Sequence, residues 1–341
     1  MAVITNSNNN LTLADWAKRT DPDGRVALVA ELLSQSNEIL EDCVFKEGNL
    51  PTGDRVVIRT GLPTAYWRSL NQGIPNSKSS TAQVDEACGM LEARSEVDKD
   101  LAMLNGNTAQ FRLSEDTAFL EAMNQTQAQT IFYGNPATDP KQFLGLATRY
   151  SSTSAGNGTN IIPGGATSGS LNTSVYLVVW GDQTVYCPFP KGSKAGLIHE
   201  DLGEQTVYDG VNRMQAYATR YQWKSGLVVK DWRYVVRIPN ILVADLVGGT
   251  TTQAATSATQ LTKLMMRAMY KIPNLDMGRA AFYMNRTVHS GLAVQSLDRS
   301  QAALAVQPAL SQFGTARNYL SFQGIPIRRV DCLLNTEAVV S

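Results

Sequence analysis

Two patterns of apolar and polar positions, one with period two and one with the helical period, divide the chain between them. Asp54-Arg55-Val56-Val57-Ile58-Arg59-Thr60 is rich in β-branched residues and bounded by Gly53 and Gly61, which predicts a strand. Further on, Ala82, Val84, Cys88 and Met90 share one phase against Gln83, Asp85 and Gly89, broken only by Glu86, so a return strand has one sheltered face. The segment between them, Tyr66 to Lys78, is too long for a tight turn and carries two aromatics, an arginine, and a glycine and a proline. The three pieces predict an extended β-hairpin over residues 49–93. An isolated two-stranded ribbon is marginal in water, so the tip residues Tyr66, Trp67, Arg68, Asn71 and Lys78 are candidates for contact with a partner surface.

The helical period takes over next. Ser114 is placed to cap a helix whose first turn holds Glu115 and Asp116, acids favoured at a helix N-terminus. Phe119, Ala122, Met123, Thr126, Thr130 and Ile131 supply its core stripe, and Phe132-Tyr133-Gly134-Asn135-Pro136 stops it. A second helix from about Thr259 shows Leu261, Leu264, Met265, Ala268 and Met269 on one face and ends at Pro273. Strands are predicted at Val175–Trp180, Thr184–Phe189, Met214–Trp223, Gly226–Val229, Trp232–Ile238 and Arg279–Met284, with Lys224-Ser225-Gly226 as a turn. Asn285 then caps a short helix over Thr287–Val294, and a strand over Ile325–Leu334 closes the molecule near the long helix. Ser151–Ser174, dominated by Ser, Thr, Gly and Asn, reads as a mobile surface loop. Ahead of the hairpin, Val26, Val29, Leu32, Leu33, Ile39 and Leu40 give a partly helical stripe inside an N-terminal arm. Sheet, flanking helices and one protruding ribbon amount to an α+β architecture, and 341 residues exceed a single typical core.

The order of arm, long hairpin, long helix, Tyr133-Gly134-Asn135 and Phe143-Leu144-Gly145-Leu146 resembles the major capsid proteins of tailed double-stranded DNA bacteriophages. Phe282-Tyr283-Met284-Asn285-Arg286-Thr287-Val288 and Phe322-Gln323-Gly324-Ile325-Pro326-Ile327 agree, and the resemblance looks closest to the short-tailed phages. It implies the Hong Kong 97-like (Johnson) fold. Residues 1–48 would then be the N-arm, 49–93 the E-loop hairpin, 94–145 the P domain with its spine helix, 146–310 the A domain with P-domain excursions, and 311–341 a strand returning to the P domain. It also implies self-assembly into pentamers and hexamers of an icosahedral shell, located in the virion and assembled in the host cytoplasm. Partners implied are a portal protein, a possible cement protein and a separate scaffolding protein, since the segment before the hairpin is too short to hold a fused one. In some relatives a hairpin lysine forms an isopeptide bond with an asparagine of another subunit. Lys78 occupies such a place, but no catalytic carboxylate accompanies it, and it reads as a free surface lysine.

Charge changes the picture little. The chain has 30 basic and 30 acidic side chains, which argues against a dedicated nucleic-acid binder and limits any contact with packaged DNA to a non-specific one. Residues 1–115 carry 11 basic and 16 acidic side chains against 9 and 5 in residues 241–341; complementary poles for neighbour packing and ordinary surface scatter both fit. The sequence has no membrane-spanning run and no start-of-chain apolar core behind a basic region, so a cytosolic origin is expected. Cys43, Cys88, Cys187 and Cys332 are dispersed, which reads as buried thiols rather than as a disulfide framework or zinc site.

Catalytic chemistry is nearly absent from the sequence. It contains no phosphate loop, no His-Glu-x-x-His and no Gly-x-Ser-x-Gly, and Gly192-Ser193-Lys194-Ala195-Gly196 reads as an exposed turn. No cofactor or metal site is assigned. Of the two histidines, His289 reads as a surface or capping residue. His199 lies beside Glu200 and Asp201, which leaves a soluble hydrolase as the alternative function, although a histidine in a polar loop is the simpler reading. Tyr217, Tyr221 and Trp223 fall in one strand phase and read as core or interface residues.

Overall fold

The computed structural model describes residues 11, 13–18, 33–166, 169, 171–209, 212–243, 252–295, 304–310 and 316–341. In chain order the helices are α1 (Leu13–Lys18), α2 (Ile39–Asp42), α3 (Lys99–Met103), α4 (Thr108–Tyr133), α5 (Leu146–Arg149), α6 (Thr252–Lys271) and α7 (Arg286–Gln295). The strands are β1 (Phe45–Glu47), β2 (Gly53–Gly61), β3 (Ser80–Asp98), β4 (Asn172–Trp180), β5 (Val185–Phe189), β6 (Leu197–Asp209), β7 (Asn212–Gly226), β8 (Val228–Val229), β9 (Val235–Leu242), β10 (Arg279–Met284), β11 (Leu304–Leu310), β12 (Ala316–Phe322) and β13 (Ile325–Arg329). The chain divides into two compact units. One gathers residues up to Gln35 with Met90–Gln127 and Gly196–Lys224; the other gathers Ser36–Gly89, Ala128–Ala195 and Ser225–Ser341.

The larger unit is built on a mixed sheet ordered β1-β5-β4-β10-β13-β12-β11, with β9 also on β4 and β8 on β5. Its central strand β4 is buried along its whole length. Because successive side chains of a strand point to opposite faces, β4 divides its residues between two cores. Tyr176, Val178 and Trp180 enter one with Ile131, Phe132, Leu146 and Tyr150. Val175, Leu177 and Val179 enter the other with Leu261, Met265 and Ala268 of α6 and Val288 and Leu292 of α7. Strand β10 repeats the split, Ala281 and Tyr283 on one side, Phe282 and Met284 on the other. A strand packed on both faces must be apolar without alternation, which is why Val175–Trp180 is legible as an uninterrupted apolar run.

The turn after α4 explains the two glycine motifs. Gly145 N–H donates to Gly134 O at 2.8 Å. A Cβ on Gly145 would sit 2.6 Å from both Gly134 N and Phe132 O, and one on Gly134 would sit 2.3 Å from Phe143 O. The two backbones cross at a separation that no side chain tolerates. Asn135 closes the loop by accepting from Ala137 N–H at 3.0 Å.

In the smaller unit β6 and β7 pair antiparallel, Leu197 opposite Trp223 through Asp209 opposite Asn212. Its core is Val97, Leu101, Ala102 and Phe111, with Leu11, Trp16 and Tyr217 packed against it. Arg112 lies over the Tyr217 ring at 5.2 Å and donates to Asp201 Oδ1 at 2.8 Å and Thr219 Oγ1 at 3.0 Å.

Several sequence expectations are corrected. Helix α4 begins at Thr108, so Ser114 is no cap; inside the helix its hydroxyl donates to Phe111 O at 2.8 Å, a local bond that serine makes equally well mid-helix. Ala122 and Thr126 face solvent, while Gln127, Ala128 and Phe132 are buried, because α4 packs on different neighbours along its length. Lys224-Ser225-Gly226 continues β7 and is no turn, with Ser225 buried. Asn172, Thr173 and Ser174, read as loop, open β4 and are fully buried. His199, read as a polar-loop residue, lies on strand β6 (Leu197–Asp209), whose backbone pairs with β7. The closing strand β13 ends at Arg329, short of Leu334, and pairs parallel with β10 and antiparallel with β12; the residues after it do lie by the end of α4, where Leu334 N–H donates to the Tyr133 hydroxyl at 3.0 Å. Helix α6 begins at Thr252, ahead of Thr259. Val26, Val29 and Leu32 lie outside the described residues.

Candidate assembly hairpin

Strands β2 and β3 pair from Gly53 opposite Ala87 to Gly61 opposite Ser80, with a register shift between Arg59 and Gly61. On the exposed face Arg55 stands opposite Asp85 and grips it with two hydrogen bonds, 2.6 and 2.7 Å. The Arg55 hydrogen bond holds the Asp85 carboxyl below its ordinary value. The sheltered face carries Val56 and Ile58 onto Tyr186, Val228 and Val44.

Glu86 is where the alternation of β3 failed in the sequence, and the structure gives the reason. It lies on the sheltered phase and receives Arg149 Nη1 at 2.6 Å and Nη2 at 2.7 Å, both side chains being only 12–13% exposed. Arg149 also donates to Leu227 O at 2.9 Å and Leu144 O at 3.3 Å. On β2 the buried Asp54 accepts from the Tyr186 hydroxyl, and Asn49 brackets Arg55 by accepting from its N–H at 2.7 Å and donating to its carbonyl at 2.8 Å. Gly53 lets the two strands meet, since a Cβ there would lie 2.0 Å from Glu86 O. The base of the hairpin is therefore locked into the larger unit by charge-assisted bonds and by backbone contact. The sequence marked Glu86 as the break in the alternation and Gly53 as a strand boundary, but not their partners Arg149, Tyr186 and Asn49. A charge in the sheltered phase of a strand was the available signal, since a buried charge requires a partner.

Beyond the base, every residue from 62 to 80 is exposed. Trp67 is fully exposed at 104% and Leu70 at 96%, with Tyr66 and Ile74 about half exposed at 47% and 53%. Gln72 N–H donates to Ser69 O at 3.3 Å, and Asn71 between them takes a left-handed φ of 62°, which asparagine tolerates better than most residues. Ser77 Oγ donates to Thr64 O at 2.9 Å. Arg68 and Lys78 have no carboxylate partner among the described residues. The structure thus places Tyr66, Trp67, Arg68, Asn71 and Lys78 on one exposed loop. Burying a Trp removes about 150–250 Å² from water, worth on the order of 4–6 kcal/mol at ~25 cal/mol per Å².

His199 lies on β6 opposite Tyr221, ring centroids 5.2 Å apart. Its neighbours are committed elsewhere, Glu200 to Arg220 at 3.4 Å and Asp201 to Arg112 at 2.8 Å. The Arg112 hydrogen bond keeps the Asp201 carboxyl below its ordinary value. Among the described residues, no acid–base pair forms around this histidine. Cys43, Cys187 and Cys332 are buried and Cys88 half-buried, all four as free thiols; burial pushes Cys88 and Cys332 up to about 12, which keeps them protonated.

The family model described as Major capsid protein GP7 matches residues 21–341. Among solved structures, a chain of the near-atomic-resolution cryo-EM structure of bacteriophage Epsilon15 is 30% identical with a TM-score of 0.70, covering 100% of this chain and 99% of that one. A chain of the bacteriophage JBD30 capsid is 10% identical with a TM-score of 0.49, covering 89% of this chain and 92% of that one. Curated proteins give no match.

Proposed function

The chain belongs to the Major capsid protein GP7 family, and on that premise we propose that the hairpin tip, residues 62–79, is a contact through which one copy holds the next. The protein is a shell-forming major capsid subunit of a tailed bacteriophage with the Hong Kong 97-like fold, and its place is the virion shell. The hydrolase alternative finds no support. The family role is structural, and self-assembly is its function.

The observation that carries the tip assignment is Trp67. A tryptophan fully in water beside Tyr66, Leu70 and an uncompensated Arg68 has the composition of an interface anchor, and the locked base holds it out from the subunit. We assign residues 1–48 to the N-arm, 49–93 to the E-loop, 94–145 to the P domain, 146–310 to the A domain and 311–341 to the returning strand. A separate scaffolding protein, a portal protein and a cement protein are the further partners of this reading. Packaged double-stranded DNA meets the shell without sequence preference, and assembly takes place in the host cytoplasm. Trp67→Ala tests the contact. The variant subunit should keep its circular dichroism and melting temperature yet yield no closed shells by sedimentation and electron microscopy; normal shells from the variant would remove the tip from the interface.

A further inference from the structure

Helix α6 contains Lys263, Arg267 and Lys271 and no acidic residue. The three recur every four residues, which on a helix places them along one stripe. Met266 and Tyr270 run beside them, each three residues after a cation, and face the segment Ile161-Ile162-Pro163 across a groove of about 660 Å³. Tyr270 is 82% exposed. Lys271 is tied to Thr159 O, and its place in the last turn is favoured by the helix C-terminus. Neither explanation reaches Lys263 or Arg267, which are exposed and have no carboxylate partner among the described residues. Like charges at this spacing repel, so the stripe is costly until something anionic lies along it.

We propose that this groove binds an acidic amphipathic peptide segment supplied by another protein, its apolar residues on Ile162, Pro163, Met266 and Tyr270 and its carboxylates on Lys263 and Arg267. Charge complementarity sets the sign of the partner. Duplex DNA offers phosphates but no apolar face for the groove floor, whereas a helix laid in an apolar groove uses both features.

The test uses the full-length protein, fluorescence anisotropy and a labelled synthetic peptide with Leu and Glu at helical spacing. Saturable binding is expected, weakened about tenfold or more by Lys263→Gln combined with Arg267→Gln and, separately, by Tyr270→Ser. All three positions are exposed, so circular dichroism should not change. A control peptide with Ser in place of Leu, and a duplex DNA of matched charge, should each bind more weakly than the Leu-Glu peptide. Absence of saturable binding overturns the proposal, as does unaltered binding by the charge variant or equal binding of the Leu-free peptide. Tighter binding of the duplex would make the stripe a phosphate contact instead. Peptide binding and shell assembly are read separately, so failure of one is distinguishable from failure of the other.

Discussion

Single side chains here do two jobs that composition does not separate. Glu86 and Arg149 are a charged pair almost out of water, and a buried pair is most visible when halved. Arg149→Met should lower stability by about 2–4 kcal/mol, near the bottom of the range for an uncompensated buried charge because slight exposure screens Glu86; denaturant unfolding of the unassembled subunit measures it. His289 is a half-buried residue of α7, not the surface or capping group its sequence context implied; the cap is Asn285, which accepts from Thr287 N–H at 3.0 Å. Burial first, and then the Arg329 charge, hold the imidazole below its ordinary 6.5. A depressed histidine favours the neutral folded form, so its contribution is complete above the unfolded value and is lost as pH falls from about 6.5 toward the lower folded value. His289→Gln should flatten the loss of stability between about pH 7 and 5, and pH-dependent thermal melts of wild type and variant check that difference.

At the scale of elements, the hairpin and the α4 helix show where motion is affordable. Glycines at the base, Gly53 and Gly89, suggest a joint there when read as sequence. The structure instead fills that place with the Glu86–Arg149 pair, the Asp54–Tyr186 bond and a backbone approach that Gly53 alone permits. The first weak point outward is the register shift between Arg59 and Gly61, where a ladder loses a bond and the ribbon twists more easily. Symmetry-independent copies in one shell, superposed on β4, β9 and β10, should therefore diverge beyond Arg59 and agree at Gly53 and Gly89. Larger displacement at the base than at the tip would contradict this. Helix α4 is anchored at its end by Ala128, Ile131 and Phe132, so that end should stay with β4.

For the whole molecule, the C-terminal segment is a fastening. Glu337 accepts from Arg237 Nη2 at 2.9 Å, from the Ser174 hydroxyl and from the Tyr133 hydroxyl, while Arg237 also donates to Tyr150 O at 2.8 Å. Asn240, in a left-handed conformation at φ 63°, exchanges two 2.8 Å hydrogen bonds with the backbone of Val340. Deleting residues 335–341 would leave the buried Arg237 charge without its carboxylate, and should cost on the order of 3–5 kcal/mol. Chemical denaturation of the truncated subunit tests it, and a loss under about 1 kcal/mol would mean that the guanidinium finds water or another acceptor.

By itself the sequence determined what depends on near neighbours. The strand over Val175–Trp180, the stop of α4 at Gly134, the Asn285 cap, the apolar face of α6 and the exposed hairpin tip follow from propensity, period and capping within a few residues. The ordered motifs also carried the family. Contacts between residues far apart in the chain were left to the tertiary structure: Glu86 with Arg149, Asp54 with Tyr186, Glu337 with Arg237. Polar runs such as Leu197–Asp209 became strand because a neighbouring strand satisfied their backbone, and Ser174 could be buried because Glu337 and Arg237 supplied partners. A polar residue has no fixed preference for loop or core until its partner is in place, and only folding brings that partner from elsewhere in the chain.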